Sequence, residues 1–137
     1  MRYTLDISFL ESNHGCHIFT SIRIFNKKYK VLIDTGATAS VFDVNFVESH
    51  VGKKKLVKLN DMAGGVGDSE MAMHVASLSF RLGKKKFEQQ VALIDFSHIH
   101  AMYELHQLPK FHFIIGNDIL VSEKAIINYK TKTLKIG

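Results

Sequence analysis

The chain is poor in cysteine, in proline and in uninterrupted apolar sequence. Its one cysteine, Cys16, has no partner for an internal disulfide. No apolar run approaches the roughly 20 residues of a membrane span. The N-terminal stretch "MRYTLDISFLESNHGCHIF" alternates apolar with polar residues and lacks the continuous apolar segment of a secretion signal. These absences lead us to expect a soluble, cytoplasmic protein with no membrane partner. No internal repeat, low-complexity tract or linker divides the 137 residues. An apolar content of 46% is enough for one domain with its own core, and the length is short for two, so a single domain over 1–137 is expected.

Positive charge is in excess, with a net charge of +5. It is concentrated at Lys27 and Lys28, Lys53 to Lys55, Lys84 to Lys86, and Lys130, Lys132 and Lys135. A nucleic-acid surface would use such charge. None of the clusters is interleaved with the aromatic side chains that stack on bases. Solvated turns that keep a β-rich chain soluble explain them better, and no nucleic-acid partner is expected.

Alternation with period two recurs along the chain and is the main structural signal. In "RYTLDISFL" Tyr3, Leu5, Ile7 and Phe9 share one face; Ile18, Ile22 and Ile24 roughly repeat the pattern. The segment "KYKVLI" (28–33) ends apolar throughout, as a strand buried on both faces does. Further strands are expected at 55–59, 70–82, 86–95, 111–115, 124–129 and 133–136. So many short strands must hide their edges, which points to a closed or nearly closed barrel. Helix is expected only in pieces: "DVNFVESH" (43–50) capped by Asp43, "NDILVSEK" (117–124) with Asn117 as cap, and a turn or two in "SHIHAMYELHQL" (97–108) with Ile99, Met102 and Leu105 spaced by three before Pro109.

Within this pattern, "VLIDTGATASVF" (31–42) joins an apolar strand directly to Asp34, Thr35 and Gly36. A carboxylate at the end of a buried strand must be hydrogen-bonded or functional, because burying an unpaired charge is costly. Taken alone, Asp-Thr-Gly is equally an ordinary β-turn. Downstream, "DMAGGVGDSE" (61–70) has the glycines of a flexible hairpin tip and lacks the lysine of a phosphate-binding loop. Then "FIIGNDIL" (113–120) runs an apolar strand through a glycine into a short helix.

In that order, "LIDTGA" (32–37), "AGGVG" (63–67), "IIGNDIL" (114–120) and "AIINYKTKTLKI" (125–136) make the chain resemble the retropepsin-like aspartic proteases from about residue 16 onward. The resemblance implies an all-β fold, a retropepsin-like closed β-barrel with one or two short helices. It implies a catalytic role for Asp34, an interface hydrogen bond for Thr35, a turn-shaping role for Gly36 and a cleft-lining one for Ala37. Gly64, Gly65, Val66 and Gly67 would form a flap over an extended peptide. Gly116 would mark the turn where the second apolar strand crosses behind the catalytic loop. No cofactor or metal is implied.

Carboxylate-based hydrolysis needs two carboxyl groups in contact, one ionised and one protonated. One Asp-Thr-Gly per chain supplies half of that pair. A two-fold homodimer would bring the second Asp34 across its axis. The expected activity is therefore that of a homodimeric aspartic endopeptidase acting on peptides or proteins. A barrel of the same fold that binds without cleaving is the alternative. Two departures from the retroviral pattern bear on the choice: Asn117 and Thr38 stand where an arginine and an aspartate often form an ion pair, and the 97–109 excursion is long. The histidines, including His98, His100, His106 and His112, read as solvated loop residues because no paired Cys/His spacing is present. Cys16 reads as a small buried side chain.

Overall fold

A computed structural model describes residues 1–12, 15–58 and 73–137. Eleven strands and three short helices are found among them. The first two strands, β1 (Tyr3–Asp6) and β2 (Ser8–Ser12), come from the single stretch read as one strand. The chain changes sheets at Ile7, whose side chain is buried. β1 pairs with β11 (Thr133–Ile136), which also pairs with β10 (Ile126–Asn128), in a three-stranded sheet.

β2 pairs instead with β3 (Gly15–Ile24), which turns at Phe25 and Asn26 into β4 (Lys27–Ile33). Both turn residues have positive φ, as a two-residue hairpin of right-twisted strands requires. Six strands then close on themselves. β4 runs parallel to β9 (Phe113–Ile115), β9 antiparallel to β5 (Val41–Asp43), β5 parallel to β8 (Lys85–Ile94), and β8 antiparallel to β7 (His74–Leu82). A single Arg23–Arg81 pairing between β3 and β7 completes the ring. A two-residue strand, β6 (Val57–Lys58), adds to the edge of β7. The expected closed barrel is therefore present.

Alternation fills this barrel: Ala76, Leu78, Phe80 and Leu82 of β7 and Phe87, Val91 and Leu93 of β8 point inward with Ile22, Ile24, Phe42 and Phe113. β4 behaves differently at its end, where Val31, Leu32 and Ile33 are all buried. Val31 and Ile33 join the barrel interior, while Leu32 joins a second cluster outside it with Phe19, Phe96, Phe111 and Ile114. The segment is covered on both faces, as its unbroken apolar character requires.

All three helical candidates form. Asp43 caps α1 (Val44–Val51) through its carboxylate and the Asn45 amide. α2 (Ser97–Leu105) is preceded by Asp95, whose carboxylate accepts from both the amide and the hydroxyl of Ser97. Those two bonds hold the Asp95 carboxyl below its ordinary range. α3 (Asn117–Ser122) follows β9 directly, with Gly116 and not Asn117 in the cap position. The expected apolar face of α2 is also revised. Ile99 packs inward with Tyr103, four residues on, whereas Met102 and Leu105 are exposed. A pitch of 3.6 residues carries an i+3, i+6 series off the face that i and i+4 share.

The lysine clusters lie on turns and surface strands. Lys53–Lys55 form an exposed 3-10 turn, and Lys84–Lys86 surround the turn between β7 and β8. Cys16 is exposed, which corrects its reading as buried. It lies opposite Glu11, where the β2–β3 hairpin runs past the core. No helix among the described residues is long and apolar enough to cross a membrane.

Candidate active site

Asp34 stands where the parallel pair β4–β9 ends. Its amide donates to the Ile115 carbonyl at 2.9 Å, extending the ladder by one bond. The chain then turns sharply: the Gly36 amide donates to Asp34 Oδ1 at 2.9 Å, and the Ala37 amide to the Asp34 carbonyl at 3.2 Å. A Cβ at position 36 would sit 3.3 Å from that carboxylate oxygen, so glycine gives the amide its approach. Asp34 and Ala37 are half-buried, Thr35 and Gly36 exposed. The four residues read from the first motif thus share one tight loop. The flap residues Gly64, Gly65, Val66 and Gly67 lie outside the described residues.

Behind this loop the second motif crosses at a separation that only glycine allows. A Cβ on Gly116 would lie 2.8 Å from the carbonyl oxygens of both Ala37 and Ala39. The crossing is fastened by hydrogen bonds. Amides of Asn117 and Asp118 donate to the Ala37 and Thr38 carbonyls at 2.8 and 3.2 Å. The Asn117 side-chain amide donates to the Thr35 carbonyl at 2.7 Å. Where the retroviral pattern has an ion pair, this chain therefore has a neutral bond from the same helix start to the Asp34 loop. No charge is left stranded.

Sequence reading missed a second fastening. The buried Ser40 hydroxyl donates to Asp118 Oδ1 at 2.6 Å and accepts from the Gly116 amide at 2.9 Å. The Ser40 and Ile119 amides donate to the same carboxylate oxygen at 2.9 and 2.8 Å. An acid two residues after a motif glycine was the signal available for it.

On its outer side the loop adjoins the second apolar cluster. Ala37, Ile99 and Tyr103 pack against Leu32, Phe111 and Ile114, so α2 roofs the wall next to Asp34. The Tyr103 hydroxyl lies 3.2 Å from His17 Nδ1. Burial raises the Tyr103 phenol above its ordinary range, and the Asp34 charge raises it further. The 97–109 excursion thus reaches the candidate site electrostatically.

Three of the four histidines named above depart from their reading as solvated loop residues: His106, half-buried at the end of α2, and the pair His100 and His112. His100 and His112 are half-buried and converge on Asp43; His98 is exposed as expected. His112 Nδ1 lies 2.8 Å from Asp43 Oδ2, and His100 Nε2 lies 4.0 Å from the same oxygen. Burial lowers the His112 imidazole below its ordinary range, against the opposing pull of Asp43. The Asp43 and His112 backbones are bonded to each other, the Asp43 amide to the His112 carbonyl at 2.8 Å. Only the fold brings positions 43, 100 and 112 together, so spacing along the chain gave no sign of it.

Comparisons with known proteins bear on the family and the fold. The sequence model of the family described as "Aspartyl protease" matches residues 20–119. DNA damage-inducible protein 1 of Yarrowia lipolytica is 29% identical over 122 residues, covering 88% of this chain. The match spans 28% of that relative's own length. Among solved structures, the retroviral protease-like domain of Ddi1 from Leishmania major is similar with a TM-score of 0.58 at 18% identity, covering 86% of each chain. A retropepsin-like aspartic protease from Rickettsia conorii is similar with a TM-score of 0.56 at 14% identity, over 99% of this chain and 88% of that one. An inhibitor-bound EIAV protease gives 0.55 at 17% identity, over 87% and 99%.

Proposed function

The chain belongs to the aspartyl protease family, and from that premise we propose that residues 1–137 act as a single-domain endopeptidase completed by a second copy of themselves. The observation that carries the proposal is the Asp34 loop. Its carboxylate is oriented by the Gly36 amide, its backbone is pinned to β9, and its outer surface at Thr35 and Gly36 is open in the single chain. One carboxylate cannot be both the ionised base and the protonated acid of peptide hydrolysis. A two-fold axis beside Thr35 would supply the other.

In the assembled pair, two carboxyl groups in contact hold one proton between them, and the titration belongs to the pair. The ionised member takes a proton from water as it attacks the scissile carbonyl. The protonated member polarises that carbonyl and then, through the shared proton, protonates the departing amine. Thr35 would bond across the axis, and Ala37 would line the cleft. Backbone amides of Gly64 to Gly67 would close over an extended substrate and exclude water. Apolar substrate side chains would occupy the pockets that flank the pair.

The test is cleavage of a fluorogenic peptide library by the wild-type protein and by Asp34→Asn. The substitution is nearly isosteric, so the fold should persist by circular dichroism. Cleavage should fall by about 10⁴-fold or more, the order lost when one essential catalytic group is removed. Equal cleavage by the variant would refute the assignment.

A further inference from the structure

The convergence of Asp43, His100 and His112 lies well away from Asp34. Position 43 falls opposite His112 on the antiparallel pair β5–β9, as the register Val41–Ile114 and Phe42–Phe113 shows. Asp34 stands opposite Gly116, four residues further along. At about 3.3 Å per residue the two places are roughly 13 Å apart along the barrel wall. The cluster therefore needs an account of its own.

Three segments build it. Asp43 ends β5, His100 belongs to α2, and His112 precedes β9. The Asp43 side chain is only 6% exposed, and the two histidine side chains are about one-fifth exposed. Asp43 uses Oδ1 to cap α1, which leaves Oδ2 facing both imidazoles. The rings are held in place. His112 stacks on Phe46 with centroids 4.0 Å apart, His100 meets Phe96 edge-on, and the two imidazoles are nearly perpendicular at 5.1 Å.

We propose that Asp43 Oδ2, His100 Nε2 and His112 Nδ1 form a binding site for one divalent transition-metal ion of the zinc type. One donor atom from each residue lies within 4.8 Å of the other two. A tetrahedral ion with bonds of about 2.0–2.1 Å needs its ligand atoms roughly 3.3 Å apart. The two separations given above, 2.8 and 4.0 Å, bracket that value, and His100 Nε2 must exchange the Phe111 carbonyl, 2.6 Å away, for the ion, so the His100 ring shifts on binding. Two imidazole nitrogens and one carboxylate oxygen are a donor set that zinc and its first-row neighbours accept.

His100 Nε2 now lies 2.6 Å from the Phe111 carbonyl, and His112 Nδ1 contacts Asp43. An imidazole that gives one ring nitrogen to a metal carries its proton on the other. The Phe111 oxygen then faces the coordination sphere, either as a further oxygen donor or as the acceptor for a metal-bound water. Asp95 and Lys110 line the same surface pocket and bring opposite charges to its rim. The ion would tie α2 to the barrel between β5 and β9, holding down the excursion that roofs the second apolar cluster.

This inference stands independently of proteolysis, and its test reads metal. The full chain, stripped with a chelator, is titrated with Zn2+ and separately with Co2+ as an optical probe. One ion per chain is expected, with a Co2+ spectrum of nitrogen and oxygen ligands. His100→Gln and His112→Gln should each weaken binding by at least about tenfold, since loss of an outer-shell partner alone costs 10–100-fold. His98→Gln should bind as the wild type does. Melting curves without metal check that the variants fold. No stoichiometric uptake, or equal affinity in both cluster variants, would overturn the site. So would a thiolate charge-transfer band in the wild-type Co2+ spectrum, which would put the ion on Cys16 and requires no variant to fold.

Discussion

Gly116 is the residue whose replacement has the most direct steric consequence. An added methyl group would meet two backbone carbonyls at 2.8 Å, and backbone on both sides of the crossing is tied by hydrogen bonds. Gly116→Ala should destabilise the protein by about 1–3 kcal/mol, the range for overpacking a close-packed interior, and should displace the Asp34 loop. A lowered melting temperature with impaired cleavage is the expected readout. Ser40→Ala acts on the same crossing by chemistry. It removes the hydroxyl bridging Asp118 and the Gly116 amide, leaving a buried N–H unpaired. The cost should be about 1–3 kcal/mol, measured by denaturant unfolding.

Tyr103 offers a titration at the same scale. Its folded-state phenol is raised first by burial and then by Asp34. The corresponding stability is fully present below the unfolded value of about 10 and is lost as pH rises through the folded value. In a spectrophotometric titration of the four tyrosines, one should ionise late and be missing in Tyr103→Phe. In Asp34→Asn it should ionise earlier, because the charge contribution is gone while burial remains. An unchanged late phase in Asp34→Asn would separate the two residues electrostatically.

Residue-level legibility followed locality. Asp34, Gly36 and Gly116 could be singled out because each chemistry is written in three or four consecutive letters. Ser40 and Asp118 are 78 positions apart, and Asp43, His100 and His112 span 69 positions; neither group has a local signature. Asn117 was legible as polar at a helix start but not as a donor to Thr35, since a cap and a tertiary bond draw on the same residue type.

Among the elements, α2 distinguishes the two ways of choosing an apolar face. Spacing by three selects Ile99, Met102 and Leu105, whereas the packed face is Ile99 and Tyr103, laid over Phe111. Phe111 is 1% exposed and contacts Phe19, Phe96 and Tyr103 edge-on. Phe111→Ala should therefore cost about 3–5 kcal/mol. Leu105→Ser, at a side chain 78% exposed, should stay within about 0.5 kcal/mol of wild type. Chemical denaturation of both variants decides between the faces. Strands were easier to read than this helix. Alternation over ten residues fixes a face in β8, whereas nine residues of helix give barely two apolar repeats. The division of β1 from β2 at Ile7 was not legible, because Leu5, Ile7 and Phe9 keep their alternation while the chain changes sheets.

For the whole molecule, the closed six-strand barrel followed from the number of short strands with edges to hide, and the family from the order of the motifs. Assembly is a different matter, since a two-fold contact leaves no pattern in one copy of the chain. The half-site account makes activity depend on concentration. On dilution below the dimer dissociation constant, cleavage per chain should fall, and sedimentation equilibrium should show dimer dissociating over the same range. A protein that cleaves equally well as a strict monomer would need another second carboxylate.

The most direct measurement is the distance between the two Asp34 carboxylates in a crystal structure of the assembled protein. The account predicts oxygen atoms within hydrogen-bonding reach, about 2.6–3.2 Å, across a two-fold axis flanked by both copies of Thr35. An assembly that holds the two Asp34 side chains far apart, or a chain that crystallises and sediments only as a monomer, would contradict it.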